Sequence, residues 1–245
     1  MDELPLPASL AAAWGVHERP GRGPKPALNL ERIVEAAVHV AATDGLAAVS
    51  MSRVANELGA STMSLYRYVA AKDELLALML DAGTGPPPEF PEPTIGWRAG
   101  LTLWATAIHE VMLHSPWVVH LPISGPPITP YQIAWLEQAL RFLGDTKLTE
   151  DEKLSSVLLV SGYVWRNTTL AIDMSNAAGP DSKWPKVLAN YGEILLRVTD
   201  PAKFPALRAA IAAGIFDGPG DFADEFSFGL DRILDGIGVL VTARA

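Results

Sequence analysis

Apolar residues recur at a helical spacing near the start of the chain, after a stretch rich in proline and glycine. One face of a helix with about 3.6 residues per turn collects Leu30, Ile33, Val34, Ala37, Val38 and Ala41. Asn29 is a residue type that caps helix N-termini, and Gly45 is a type that ends helices in a left-handed conformation. The pattern predicts an amphipathic helix between these two residues.

Three shorter helices are predicted next. The apolar positions and turn residues place them at about residues 51–58, 61–68 and from residue 72 onward, with Gly59 in the first turn and Ser50 as a cap. A short helix, a glycine-containing turn and a second short helix have the proportions of a helix-turn-helix. In that motif the second helix lies in the major groove of DNA, with its N-terminal residues at the base edges.

A second helical body follows the clearest break in the chain, a run of proline and glycine over residues 83–94 that no helix is expected to cross. Its predicted helices span about residues 95–114, 130–143, 150–174, 184–198, 200–215 and 221–244. Thr129 and Thr149 each stand three residues before a glutamine or glutamate, as capping boxes do. No strand pattern and no internal repeat is present, so the sequence predicts an all-α protein.

The chain therefore divides into four parts. They are an N-terminal extension with a basic arm over residues 1–28, a helical body with the helix-turn-helix over 29–82, a linker or loop over 83–94, and a larger helical body over 95–245. Within the extension, the short apolar piece from Leu10 to Trp14 is suited to docking on another part of the protein.

Composition at first argues against a nucleic-acid partner. The chain has 245 residues, of which 49% are apolar and 19% charged, and its formal net charge is −9, whereas a phosphate backbone favours positive surfaces. The charge is unevenly divided, because residues 20–72 have six basic and four acidic side chains, and residues 81–245 have 12 basic and 19 acidic ones. The acidity thus belongs mostly to the larger body.

Two further absences narrow the protein class. The chain has no Cys, which excludes disulfides, zinc-thiolate sites and Cys nucleophiles. It shows neither a signal-peptide pattern nor the roughly 18 consecutive apolar residues of a membrane span. We expect a cytoplasmic protein with no membrane partner.

The second helix of the helix-turn-helix carries the candidate DNA contacts. Leu65 and Val69, four residues apart, are expected to face inward. The outward residue types suited to base edges are Thr62, Met63, Ser64 and Arg67, and those suited to phosphates are Tyr66, Tyr68 and Lys72. The alternative interpretation is a plain helical hairpin with a solvated face.

The basic residues of the extension, Arg19, Arg22 and Lys25, are candidates for a minor-groove arm. The alternative is a solvated tail that does not contact DNA.

Six of the seven Trp residues lie after the linker, which indicates an aromatic site in the larger body. Trp104, Trp135 and Trp165 stand in the middle of three separate predicted helices and are expected to converge on a pocket for a small apolar molecule. The candidate polar groups of that pocket are His109, Gln138, Asn167 and Thr168. The alternative is an ordinary aromatic core.

Catalytic, metal and cofactor sites are not predicted. The segment from His109 to His114 looks like the zinc motif H-E-x-x-H but is one residue too long, so the two imidazoles are about 140° apart around the helix. No phosphate-binding glycine loop and no nucleophile elbow is present. The alternative class is a helical small-molecule-binding or catalytic protein that does not bind DNA.

Residues Leu30–Met79 closely resemble the DNA-binding domain of the tetracycline-repressor (TetR) family of one-component regulators. The matching segments are residues 32–37, 44–46, 50–59, 64–69 and 72–76, in which a Leu-Tyr-x-Tyr core is followed by Lys-x-x-Leu-Leu. The later segments around Trp97, residues 114–117, Gly125, Trp135 and residues 226–231 resemble that family's tetracycline-repressor-type C-terminal domain. The resemblance covers about residues 29–245 and is looser after the first third.

By position, the resemblance implies a set of DNA contacts. Base or groove contacts fall on Ser52, Thr62, Met63 and Ser64, phosphate contacts on Ser50, Tyr66, Tyr68 and Lys72, and Arg67 is suited to either role. The tetracycline repressor itself has an arginine where this chain has Ser52, and Arg53 stands next to it. Arg53 is therefore a further candidate contact, and the operator sequence cannot be transferred.

The resemblance also implies a homodimer in which the last helix and the helix over residues 150–174 form a four-helix interface. The apolar residues assigned to that interface are Phe226, Leu230, Ile233, Leu234 and Ile237, although they are equally suited to the core. The implied function is a ligand-responsive transcriptional repressor without a cofactor. It binds a palindromic operator as a homodimer and is released by a small, largely apolar effector.

Overall fold

The computed structural model describes residues 6–16, 28–90, 95–123, 125–178, 184–216 and 222–245, and every regular element in that part of the chain is a helix. The predicted all-α class is confirmed. The candidate arm residues Arg19, Arg22 and Lys25 lie outside the described residues.

Eleven α-helices lie in the described residues. They are α1 (Ala8–Ala13), α2 (Leu30–Asp44), α3 (Met51–Glu57), α4 (Thr62–Tyr66), α5 (Lys72–Thr84), α6 (Trp97–His114), α7 (Pro130–Phe142), α8 (Glu150–Ala178), α9 (Trp184–Val198), α10 (Pro205–Ala212) and α11 (Phe222–Arg244). Two 3₁₀ turns, Leu46–Ala48 and Pro116–His120, connect α2 to α3 and follow α6. None of the described helices is long and apolar enough to cross a membrane.

The N-terminal body consists of α2 to α5, packed around buried Ile33, Val54, Leu65 and Leu75. Asn29 caps α2 by accepting the Arg32 N–H, and Ser50 caps α3 by accepting the Arg53 N–H. Both predicted caps are confirmed. Gly45 has the predicted positive φ of 84°, but its ψ of 160° is extended and not left-handed helical.

Helix α5 continues into the larger body. It ends at Thr84, so it includes Gly83, where the sequence predicted the break. The described part of the proline-rich segment also packs on the larger body, because Phe90 meets Trp135 and Phe142 edge to face at centroid distances of 6.2 and 5.7 Å. The two bodies therefore share a continuous helix and a hydrophobic core.

The N-terminal extension contains a docked helix. Leu10 and Ala11 of α1 are buried, and the Ser9 hydroxyl donates a hydrogen bond to the Glu74 carboxylate of α5. Trp14 donates its indole N–H to the Ile128 carbonyl in the larger body at 2.8 Å. Helix α1 thus contacts both bodies.

The larger body is built around α8, which packs against α6, α7 and α11. Its predicted capping box is confirmed, because the Thr149 N–H donates to Glu152 and the Glu152 N–H donates to the Thr149 hydroxyl. Thr129 is the N-cap residue of α7 and Pro130 opens the helix, as predicted, but the Thr129 side chain makes no capping hydrogen bond to the first turn. Helix α10 begins at Pro205 and not near Asp200 as predicted, because residues 201–203 form a turn.

Candidate nucleic-acid interface and ligand cavity

Helices α3 and α4 form the predicted helix-turn-helix. The turn between them contains Gly59 at φ +61°, and Ser61 caps α4 by accepting the Ser64 N–H at 3.2 Å. Leu65 and Val69 are fully buried and anchor α4 and the following turn to the N-terminal body. The opposite face of α4 is consequently left outward.

Most of the predicted DNA contacts lie on the outward face of α4, in α3, or between α4 and the start of α5. Met63 is 75% exposed, and Ser52, Tyr66, Arg67 and Lys72 are exposed as well. Three further candidates, Thr62, Ser64 and Tyr68, are half-buried. The face offers small hydroxyls, an apolar thioether and cationic groups, which are the groups that read base edges and hold phosphates.

Several of the predicted contacts already have partners within the chain, including Ser64, whose hydroxyl lies 2.8 Å from that of Ser61. Arg53 forms ion pairs with Asp44 at 2.9 Å and Glu57 at 3.2 Å, so it would have to leave both carboxylates to reach DNA. Ser50 is engaged in capping α3, and its hydroxyl lies 3.2 Å from that of Ser52.

A cavity of about 680 Å³ lies between α5, α6, α7, α8 and the loop before α7. The structure brings Trp104, Trp135 and Trp165 together in its lining, as the sequence predicted. Trp104 and Trp135 meet edge to face at a centroid distance of 6.4 Å. A cavity of this size and lining is typical of sites for small apolar molecules.

All three indole N–H groups are used for backbone hydrogen bonds. Trp104 donates to the Trp135 carbonyl at 2.8 Å, Trp135 to the Gly85 carbonyl at 3.0 Å, and Trp165 to the Val119 carbonyl at 3.2 Å. The rings therefore offer the cavity carbon surface and no donors.

The predicted polar groups lie elsewhere. None of His109, Gln138, Asn167 and Thr168 lines the cavity. His109 follows Ile108, which does line it, and one residue along a helix turns the side chain by about 100°. The His109 ring instead stacks on Phe226 of α11 at 4.2 Å.

His109, Thr168 and Asn167 make their contacts within the core between α6, α8 and α11. The Thr168 hydroxyl donates to the Val164 carbonyl at 2.7 Å, so its oxygen accepts the N–H from His109 Nδ1, also at 2.7 Å. Burial lowers the pKa of His109. Asn167 Nδ2 donates a hydrogen bond to the Tyr163 hydroxyl at 3.5 Å.

Three polar residues that the sequence prediction missed line the cavity: Thr84, Gln132 and Ser161. Gln132 stands three residues before Trp135, and Ser161 stands four residues before Trp165. Residues at those spacings share a helix face, so the same rule applied to the predicted Trp positions would have found both.

The residues predicted for a dimer interface lie on the inward side of α11, in agreement with the core alternative. Phe226, Leu230, Leu234 and Ile237 are buried and Ile233 is half-buried, on the face of α11 that packs inward. The outward surfaces of α8 and α11 carry other apolar side chains, namely Leu159, Leu170, Phe228 and Val239.

The histidines of the near-zinc motif do not converge. His114 hydrogen-bonds through Nδ1 to the Glu110 carbonyl oxygen of its own helix, and His120 lies 3.4 Å from Asp173. In the described part of the chain, no group of three or more His, Asp or Glu residues is arranged to hold a metal ion.

Two family models match the chain. The model described as "Bacterial regulatory proteins, tetR family" matches residues 33–79, which include the helix-turn-helix. The model described as "Tetracyclin repressor-like, C-terminal domain" matches residues 90–241, which include most of the cavity lining.

Two curated proteins are similar to this chain in sequence. The HTH-type transcriptional repressor DrrR1 of Streptomyces coeruleorubidus is 38% identical over 96% of this chain and 87% of its own length. An HTH-type transcriptional regulator of Saccharopolyspora erythraea is 32% identical over 62% of this chain and 64% of its own length.

Among solved structures, apo ActR from Streptomyces coelicolor superposes with a TM-score of 0.74 at 24% identity, covering 91% of this chain and all of that one. ActR in complex with actinorhodin gives a TM-score of 0.69 at 24% identity, covering 86% of this chain and 95% of that one. At this identity the likeness shows a shared fold.

Proposed function

This chain belongs to the TetR family of bacterial regulatory proteins, and from that premise we propose that it is a transcriptional repressor that binds a palindromic operator as a homodimer and is released by a small, largely apolar effector. The similarity to DrrR1, which is named as a repressor, supports that direction of control. The main observation behind the proposal is that α5 connects the two sites. It comes directly after α4 along the chain, and its residues Leu80 and Thr84 line the cavity.

DNA binding in this proposal uses the outward face of α4 together with residues at the start of α3 and at the start of α5. The proposed base contacts are Ser52, Thr62, Met63 and Ser64, and the proposed phosphate contacts are Ser50, Tyr66, Tyr68 and Lys72. Arg67 is suited to either role, and Arg53 can contact DNA only if its ion pairs with Asp44 and Glu57 break. The helix-turn-helix body over residues 29–82 has four basic and seven acidic side chains, so we expect modest non-specific affinity and reliance on direct contacts and dimer geometry.

A homodimer is needed because two recognition helices about 34–36 Å apart read successive half-sites of a palindrome. We place the interface on the outward faces of α8 and α11. Leu159 and Phe228 are exposed there, and a Cβ atom added at Gly162 or Gly236 would have no heavy atom of the described residues within 4 Å. Small residues beside exposed apolar ones allow two helix pairs to approach closely.

The effector in this proposal binds in the cavity lined by the three Trp residues. The complexes of ActR with actinorhodin and with (S)-DNPA support a ligand-binding role for this fold. A ligand releases the protein from DNA only if it binds the DNA-free arrangement more tightly. Moving the population from mostly bound to mostly released takes a difference of about 5.5 kcal/mol, and α5 is the helix through which that difference can reach α4.

A gel-shift assay with the DNA upstream of the protein's own gene tests the proposal. The full-length chain is expected to retard that fragment at low salt, and an unrelated fragment of equal length should be retarded only at much higher protein concentration. Failure to bind the upstream fragment at low salt, by protein that is folded by circular dichroism, would count against the repressor function.

A further inference from the structure

The chemistry of the cavity restricts its ligand more narrowly than its size does. Among the described residues that line it, none is charged, and the polar ones are Thr84, Gln132 and Ser161. A buried ion without a counter-charge loses several kcal/mol of hydration. The buried carboxylate of Asp81 is committed to two backbone N–H groups and does not line the cavity.

Most of the polar hydrogens near the cavity are already used. The three Trp N–H groups donate to backbone carbonyls, and the Thr84 hydroxyl donates to the Leu80 carbonyl at 2.9 Å. Within the described part of the chain, the side-chain donors of the lining that have no partner are the Gln132 Nε2 group and the Ser161 hydroxyl.

Gln132 is held in place by its other atoms. Its Oε1 accepts the Ile128 N–H at 3.3 Å, and its backbone N–H donates to Asp81 Oδ1 at 3.1 Å. Because the amide oxygen already accepts one hydrogen bond, the amide nitrogen is the end of this side chain that has no partner among the described residues. A side chain fixed in this way selects an acceptor with little loss of conformational entropy.

Resting on the proposed effector role of this cavity, we propose that it takes an uncharged, planar, mostly apolar ligand with a hydrogen-bond acceptor that Gln132 Nε2 binds. The flat faces of the Trp rings favour a planar molecule. The uncharged lining disfavours both ammonium and carboxylate groups, and the free donor at Gln132 disfavours a ligand that presents only another donor. Gln132 is thus a specificity-determining residue of the site.

Two dyes with the same fused ring system provide a matched test. Nile red is neutral and carries a ring carbonyl acceptor, whereas Nile blue is a cation with a nitrogen donor at the corresponding place. Fluorescence titration of the full-length protein should give Nile red an affinity at least about tenfold higher, the equivalent of about 1.4 kcal/mol. Equal or tighter binding of Nile blue would overturn the proposal.

Variants of Gln132 test whether this residue causes the preference for Nile red over Nile blue. Gln132→Glu replaces the donor by an anion of similar shape, so it should reduce Nile red affinity about tenfold and increase Nile blue affinity. Gln132→Met removes the donor without adding charge and should weaken Nile red alone. Gln138→Glu places the same change on the same helix outside the lining, and should leave the ratio of the two affinities unchanged.

A ratio that stays the same in Gln132→Glu, or that shifts equally in Gln138→Glu, would contradict the role of Gln132. The gel shift of the same samples without dye separates this result from the proposed function. DNA binding by the wild type with no preference for Nile red overturns the ligand class alone, whereas absence of DNA binding overturns the repressor function and leaves the dye result standing.

Discussion

The carboxylate of Asp81, in the last turns of α5, accepts the backbone N–H of Tyr131 at 2.8 Å and so caps α7 in the other body. The same oxygen accepts the Gln132 N–H at 3.1 Å. Both N–H groups belong to the first turn of α7, which has no intrahelical partners for them. This cap joins α5, which follows α4 along the chain, to Gln132 of the cavity lining.

Replacing Asp81 with Ala should destabilise the protein by about 1–2 kcal/mol, because it leaves two backbone N–H groups of α7 without their acceptor. Asp81→Asn keeps an acceptor oxygen and removes a buried charge, so we expect it to be more stable than Asp81→Ala by at least that amount. Urea unfolding followed by circular dichroism measures both. Equal stability of the two variants would contradict the capping role.

The pH dependence of stability should also report on Asp81. Burial raises the pKa of Asp81 above its usual value of 3.8, so the folded state holds this proton more tightly than the unfolded state. The unfolding free energy of the wild type relative to Asp81→Asn should therefore decrease as pH rises from 3.8 through the raised pKa, and then level off. A difference that grows more favourable to the wild type over that window would show the opposite shift.

Sequence rules that apply within a few residues predicted the helix caps that form between neighbouring residues. The caps at Asn29, Ser50 and Thr149 were found because donor and acceptor lie within three residues of each other. The cap of α7 was missed because its acceptor, Asp81, lies 50 residues away from Tyr131. No pattern within a single helix reveals such a partner.

The site shows the same division. The Trp residues of the cavity were predicted from their positions in three separate helices, and helical spacing predicted the inward anchors Leu65 and Val69. On α11 the same periodicity selected the buried face, represented by Leu234. The sparse apolar residues of the outward face, such as Phe228, cannot be told from scattered surface residues without the neighbouring helix α8.

The proposed dimer interface predicts a change of oligomeric state in Phe228→Glu. Phe228 is 65% exposed on the outward face of α11, and two copies of an introduced carboxylate near a symmetry axis repel each other in an apolar contact. We expect a monomer by analytical ultracentrifugation, with helical content retained. Leu103→Glu places the same charge at an exposed apolar residue of α6 and should remain a dimer. If the Phe228→Glu variant were still a dimer, the proposed location of the interface would be contradicted.

Close packing of α6 on α7 predicts a cost for Gly100→Ala. A Cβ atom at Gly100 would overlap Cδ1 of the Phe142 ring, and that ring is itself packed against Phe90. Such overpacking should lower the unfolding free energy by about 1–3 kcal/mol. Gly125→Ala, with no heavy atom of the described residues within 4 Å, should unfold like the wild type. A Gly100→Ala protein as stable as that control would indicate a looser contact between α6 and α7.

The most direct test of the account is a fluorescence-anisotropy titration of the upstream DNA with the wild type, Tyr66→Ala and Tyr131→Ala. Tyr66 is exposed on α4 and Tyr131 is exposed on α7 of the larger body, so the two variants remove the same side chain from the proposed DNA surface and from a surface away from it. We predict specific binding by the wild type, a loss of at least about tenfold in affinity for Tyr66→Ala, and unchanged affinity for Tyr131→Ala. Equal affinities of Tyr66→Ala and the wild type, or no specific binding by the wild type, would contradict the assignment of α4 as the DNA-reading helix.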